Sequence, residues 1–130
     1  MWKSNGTAAG TVLVKDIHTG LGSSDPRNLT NVNGTLYFSA VAPTNGEELW
    51  KSNGTASGTV LVKDLTGDSG DSNPGALTVV GDMLYAAATT ATVGTALFVL
   101  SVSNNKAVTI NVSTRYSGSD SASGPRPVYL

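Results

Sequence analysis

The chain has 130 residues and a formal net charge of −1, and charged residues make up only 13% of it. Such a near-neutral, charge-poor balance lacks the basic footprint of a nucleic-acid binder. Cysteine is absent and there is one histidine, His18, which excludes disulfide frameworks, thiol catalysis and multi-histidine metal sites within one chain. No apolar run reaches the length of a membrane-spanning helix.

In chain order, residues 1–17 read as two strands joined by the turn-rich segment Ser4 to Gly10. Asn28 to Val32 is a short strand, and Asn33-Gly34 after it is the strongest short hairpin signal, because a type I′ turn needs positive φ twice. Thr35 to Val41 is the next strand, with Leu36, Phe38 and Ala40 on one face and Tyr37 on the other. Pro43 and Asn45-Gly46 mark a second turn. Glu47 to Ser52 follows, with Leu49 and Trp50 on opposite faces, then a longer turn over Asn53 to Gly58. Thr59 to Leu65 is the last strand of the set, with Leu61 on one side and Val60 and Val62 on the other. Thr66 to Gly75, rich in Gly, Ser and Asp, reads as a surface loop crossing to the next unit. No apolar 3.6-residue period lasts three turns, so helix is not expected.

The elements recur. Residues 1–16 and 49–64 are identical at 14 of 16 positions, and the same offset of 48 residues continues without gaps, adding 11 identities between 17–48 and 65–96. Among these, Pro26 matches Pro74, Leu36-Tyr37 matches Leu84-Tyr85, and Gly46 matches Gly94. A third copy from Leu97-Phe98 keeps strand character but loses the signature. Four short antiparallel strands repeating every 40–50 residues are the signature of a β-propeller blade, a small sheet that buries its faces by stacking on neighbours. The expected fold is therefore all-β: a propeller-like array of four-stranded antiparallel blades. Residues 1–17 would form a half-blade, 28–65 a full blade, 76–113 a degenerate full blade, and 114–130 a linker with the first strand of a next blade. That amounts to about 2.5 blades, fewer than the four to eight that close a propeller, so a larger or oligomeric propeller is expected.

The run Glu48-Leu49-Trp50-Lys51-Ser52-Asn53-Gly54-Thr55, followed by Gly58 to Asp64, resembles the bacterial ELWxxDGT repeat. The resemblance covers roughly residues 1–96. It implies a propeller-like structure within large secreted or cell-surface proteins, some of them hyalin-like, and it supplies no catalytic residue. Asn5 and Asn53 depart from it, standing where those repeats usually carry Asp. An Asp serving an ion would be weakened by the exchange, whereas one shaping a turn would not.

Each candidate for chemistry has a structural alternative. Trp2 and Trp50 recur once per repeat; they suit a sugar-stacking platform, but packing between blades is the favoured reading. Asp68 and Asp71, in the loop Asp68 to Asn73, offer carboxylates for Ca²⁺, against the plainer reading of a polar connection; no other cofactor is expected. Asp16 and Asp64 each follow a lysine at a strand end; they suit ligands at a blade edge, but the favoured reading is that they bond nearby amides and shape the next turn. His18 reads as a surface histidine. Glu47 and Glu48 are adjacent, point to opposite faces of a strand and cannot share one acid–base site. The five Asn-x-Ser/Thr sequons, at Asn5, Asn28, Asn33, Asn53 and Asn111, mostly read as turn chemistry. The expected function is a non-catalytic structural or adhesive module, with a carbohydrate-binding propeller as the alternative. Expected partners are copies of itself or flanking repeats, and glycans in the alternative; neither nucleic acid nor a membrane span is expected.

Overall fold

The computed structural model describes residues 1–92, 94–103 and, as backbone, 107–110. The expected linker and first strand in 114–130 lie outside the described residues, as does the end of the third unit beyond 110. Among the described residues every element is a β-strand and none is a helix. Ten strands form three antiparallel sheets. A two-stranded sheet pairs β1 (Trp2–Lys3) with β2 (Val12–Leu13). A four-stranded sheet has the order β3 (Arg27–Val32), β4 (Thr35–Ala42), β5 (Gly46–Ser52), β6 (Val60–Lys63). Another four-stranded sheet has the order β7 (Gly75–Val80), β8 (Met83–Thr90), β9 (Gly94–Ser101), β10 (Ala107–Ile110). Both four-stranded sheets are simple meanders in which sequence neighbours are hydrogen-bonded neighbours.

The turn chemistry read from the sequence sets the registers. Asn33 and Gly34 have φ of 52° and 87°, the two positive values that a tight hairpin between Val32 and Thr35 requires. The repeat extends to the irregularities. The β3/β4 ladder shifts register between Arg27 and Thr30, and β7/β8 shifts between Gly75 and Thr78, 48 residues on. Each bulge contains a residue at positive φ, Asn28 at 56° and Ala76 at 51°.

The fourth strand is shorter than Thr59 to Leu65. It ends at Lys63 because Asp64 turns the chain and the Leu65 N–H donates to the Glu48 side chain rather than to a ladder carbonyl. It begins at Val60 because the Thr59 hydroxyl is tied into the preceding loop.

The sheets stack through apolar faces. Phe38, Ala40, Ala42 and Trp50, with Leu36 and Leu61, pack against Met1 and Ile17 of the first unit. Val32, Tyr37 and Leu49, on the opposite face of the same sheet, pack with Val62 and Leu65 against Leu84, Ala86, Ala88, Phe98 and Leu100 of the third unit. The face assignments expected from alternation in 35–62 are therefore observed, and Phe98 occupies the place of Trp50 one repeat on. Antiparallel sheets commonly bury one face; the β3–β6 sheet buries both.

Backbone bonds repeat between units as well. Val41 N donates to Ser24 O at 2.8 Å, and Thr89 N donates to Ser72 O at 2.7 Å. The first strands of the two larger sheets, β3 and β7, are neighbours, and Asn28 Nδ2 donates to Pro74 O at 3.1 Å.

Gly46 and Gly94 separate the local from the tertiary part of this design. Both have positive φ, 67° and 69°, but a Cβ on Gly46 would lie 2.4 Å from Gly70 O, whereas one on Gly94 would meet nothing within 4 Å. Gly94→Ala should cost about 1–2 kcal/mol for the left-handed backbone alone. Gly46→Ala should cost a further ~1–3 kcal/mol for displacing the linker. Urea unfolding midpoints of the two variants will measure the difference.

Candidate functional site

Two polar constellations dominate the described residues. The first is the loop that repeats from the first unit to the second. Asn53 Oδ1 accepts from Thr55 N at 3.0 Å and from Thr55 Oγ1 at 2.7 Å. Thr55 Oγ1 accepts from Gly58 N at 3.0 Å, and Thr59 Oγ1 donates to Thr55 O at 2.7 Å. Ser52 Oγ accepts from Gly54 N and shares a 2.7 Å bond with Thr59 Oγ1. Every one of these bonds recurs in the first unit among Ser4, Asn5, Gly6, Thr7, Gly10 and Thr11, at the same lengths. Asn5 and Asn53 thus act as turn formers: the side-chain oxygen that could face an ion is occupied by the loop's own donors.

The second constellation surrounds the linker between the second and third units. Glu48 is fully buried, with Ala40 as its cross-strand partner. Its Oε2 accepts from Ser72 Oγ at 2.5 Å and Leu65 N at 3.2 Å, and its Oε1 accepts from Thr66 Oγ1 at 3.3 Å. Burial pushes the Glu48 carboxyl above its ordinary value, and the hydrogen bonds from Ser72, Leu65 and Thr66 oppose that rise while nearby Asp64 adds to it. Asp64 moves the other way: the Asn45 amide and the Gly67 N–H hold its carboxyl below the usual range. Ser72 also donates through its backbone N–H to Glu47 O at 2.9 Å. The linker is therefore pinned to β5 by both its side chains and its backbone.

The residues singled out from sequence fall into different places. Trp50 is 8% exposed and lies inside the first inter-sheet cluster, whereas Trp2 is 66% exposed. The two tryptophans therefore do not form equivalent platforms. Asp68 Oδ1 accepts from Gly70 N, and Asp71 Oδ1 accepts from Glu47 N, each at 2.7 Å. Asp68 thus caps an amide of its own loop and Asp71 an amide of β5, and among the described residues no three His, Asp or Glu side chains gather as a metal-binding group. Asp64 shapes its turn as expected, through Gly67 N. His18 is half-buried rather than a fully exposed surface residue, and its Nδ1, like Trp50 Nε1, has no hydrogen-bonding partner.

Sequence reasoning missed Glu48. It excludes the residue as half of an acid–base pair with Glu47 and assigns it no structural role. The available signal was alternation: Glu48 shares the strand face of Trp50, a core face, so a charge there had to find partners.

No family model matches the chain, and no curated protein or solved structure is similar to it.

The two carboxylates give opposite pH dependences. With its folded pKa raised, Glu48 keeps in the folded state a proton that the unfolded chain has already lost, so stability falls as pH rises from about 4.5 through the folded value. With its folded pKa lowered, Asp64 contributes stability above about 3.8 that is lost as pH falls through its folded value. Urea denaturation across this range should show Glu48→Gln flattening the decline on the higher-pH side and Asp64→Asn flattening the loss on the acid side. Ser72→Ala should steepen the Glu48 slope, because it removes a bond that favours the charged form.

Proposed function

We propose that this chain is a stretch of propeller-like blades serving as a non-catalytic structural or adhesive module of a secreted or cell-surface protein. The observation that carries this reading is the repeated step between units. The bond from Val41 N to Ser24 O recurs as that from Thr89 N to Ser72 O, one 48-residue repeat later. The repeated bond, the neighbouring first strands β3 and β7 of the two four-stranded meanders, and a middle sheet apolar on both faces support a blade-like stack. The polar side chains of the repeated loop are spent on their own backbone, which supports a scaffold role over chemistry. The secreted or cell-surface setting comes from the likeness to ELWxxDGT repeats, whose motif residues Glu48, Leu49 and Trp50 lie in or beside the inter-sheet packing.

The burial of Trp50 favours packing over a repeated sugar platform. Trp50→Ala should therefore lower unfolding free energy by about 3–5 kcal/mol, and Trp2→Ala by less than about 1 kcal/mol, consistent with its exposure. Chemical denaturation gives both values. A glycan array probed with the folded wild type and with Trp50→Ala decides between readings: a glycan bound by the first and lost in a still-folded variant would transfer the conclusion to a carbohydrate-binding module.

A further inference from the structure

The chain carries four Asn-Gly pairs, at Asn5, Asn33, Asn45 and Asn53. In such a pair the asparagine side chain can close on the next backbone nitrogen, because glycine has no Cβ to obstruct the approach. Closure requires the carboxamide to swing free and bring its Cγ onto that nitrogen. The fold grants this freedom unequally. Asn5 Oδ1 and Asn53 Oδ1 each accept two bonds, from the N–H and the hydroxyl of Thr7 and Thr55. Asn45 is held at both ends of its amide: Nδ2 donates to Asp64 Oδ2 and Oδ1 accepts from Thr44 Oγ1, each at 2.8 Å. Asn33 stands exposed at the tip of the β3–β4 hairpin, and its carboxamide makes no hydrogen bond among the described residues. The restraint on the reacting atoms there is one bond between exposed groups, from Gly34 N to Asn31 Oδ1 at 2.9 Å. A bond of that kind is worth little net, since water replaces it.

We propose that Asn33 is the site at which the folded chain modifies itself, by deamidation to aspartate and isoaspartate with water as the sole co-reactant. Gly34 N gives up its proton to solvent and attacks Asn33 Cγ. The new Cγ–N bond closes a succinimide ring, the Cγ–Nδ2 bond breaks, and Nδ2 leaves as ammonia after taking a proton from water. Water then opens the ring. Cleavage at Cγ leaves aspartate in the original backbone; cleavage at the main-chain carbonyl leaves isoaspartate, with the chain running through Cγ. No atom changes oxidation state. Either product adds one negative charge to a chain whose formal net charge is −1. Their structural effects differ. Aspartate tolerates the left-handed backbone that Asn33 adopts, with φ of 52°. Isoaspartate puts an extra carbon into a two-residue turn that sets the Val32–Thr35 register beside the buried Val32. The third unit carries Gly81 and Asp82 at the matching turn, so the reaction has no counterpart there.

The test is incubation of the full chain in warm, mildly alkaline buffer, folded and in urea, followed by peptide mapping that separates aspartate from isoaspartate. In urea all four pairs should react. In the folded chain conversion should concentrate at position 33, while Asn5, Asn45 and Asn53 stay intact. Asn31→Ala, which frees Gly34 N, should raise the rate at position 33 when folded and leave it unchanged in urea. Asn33→Gly places at this turn the residue that the third unit already has, and should abolish the acidic species on isoelectric focusing. Conversion of any other pair as fast as Asn33 in the folded chain overturns the inference. So does a folded chain in which all four stay intact while the unfolded chain reacts, or a folded rate indifferent to Asn31→Ala.

Discussion

The arrangement of the second and third units depends on the pinned linker over residues 64–74. Ser72 lies between two sheets and bonds to both: its N–H donates to Glu47 O at 2.9 Å, and its carbonyl accepts from Thr89 N at 2.7 Å. Its hydroxyl reaches the buried Glu48 carboxylate. A buried carboxylate is costly unless its lone pairs are met, and here Ser72, Leu65 and Thr66 all donate to it. The arrangement is reciprocal. The linker solvates Glu48, and Glu48 holds the linker in the path that sets the distance between sheets. Asp71 adds a second tether to the same strand through Glu47 N, and Gly70 runs so close to Gly46 that a side chain there would collide with it.

With the step between sheets set, the apolar residues determine how many faces need cover. The β3–β6 sheet carries Phe38 and Trp50 on one side and Tyr37 and Leu49 on the other, and all four are buried. A sheet with two apolar faces has no favourable isolated state in water, because either face alone would leave large side chains exposed. The stack is therefore the folding unit. The first unit covers only part of the surface presented to it. Leu29 is left exposed, although its repeat equivalent Leu77 is packed against the second cluster.

Features governed by short-range chemistry were legible in the sequence. The Asn33-Gly34 turn, the alternation of faces in 35–62, the absence of helix among the described residues and the turn-forming role of Asp64 all follow from residues within a few positions of one another. Features governed by distant contacts were not. Glu48 is explained by Leu65, Thr66 and Ser72, 17 to 24 residues on, and comparing repeats hides it, since its equivalent in the third unit is Ala96. The early end of β6 has the same cause, because Leu65 N serves Glu48 instead of the ladder. The bulge at Ala76 was also unreadable: Asn28 favours positive φ by its own chemistry, but alanine does not, and the third unit keeps the bend because its surrounding register imposes it.

The two tryptophans mark the boundary between these regimes. The residues after each are the same, Lys-Ser-Asn-Gly-Thr, and the loops they form make the same hydrogen bonds at the same lengths. Local sequence therefore determines local structure in both copies. Yet one indole is almost wholly buried and the other largely exposed, and nothing in those shared residues distinguishes them. The difference is supplied by the strands that stand beside and against each indole. A recurring aromatic in a repeat therefore identifies a position in the stack, and its role at each copy is set by its neighbours. Trp50 is a core residue because Phe38 pairs beside it in its own sheet and Met1 and Ile17 lie over its cluster, whereas Trp2 stands on β1, which pairs with β2 alone.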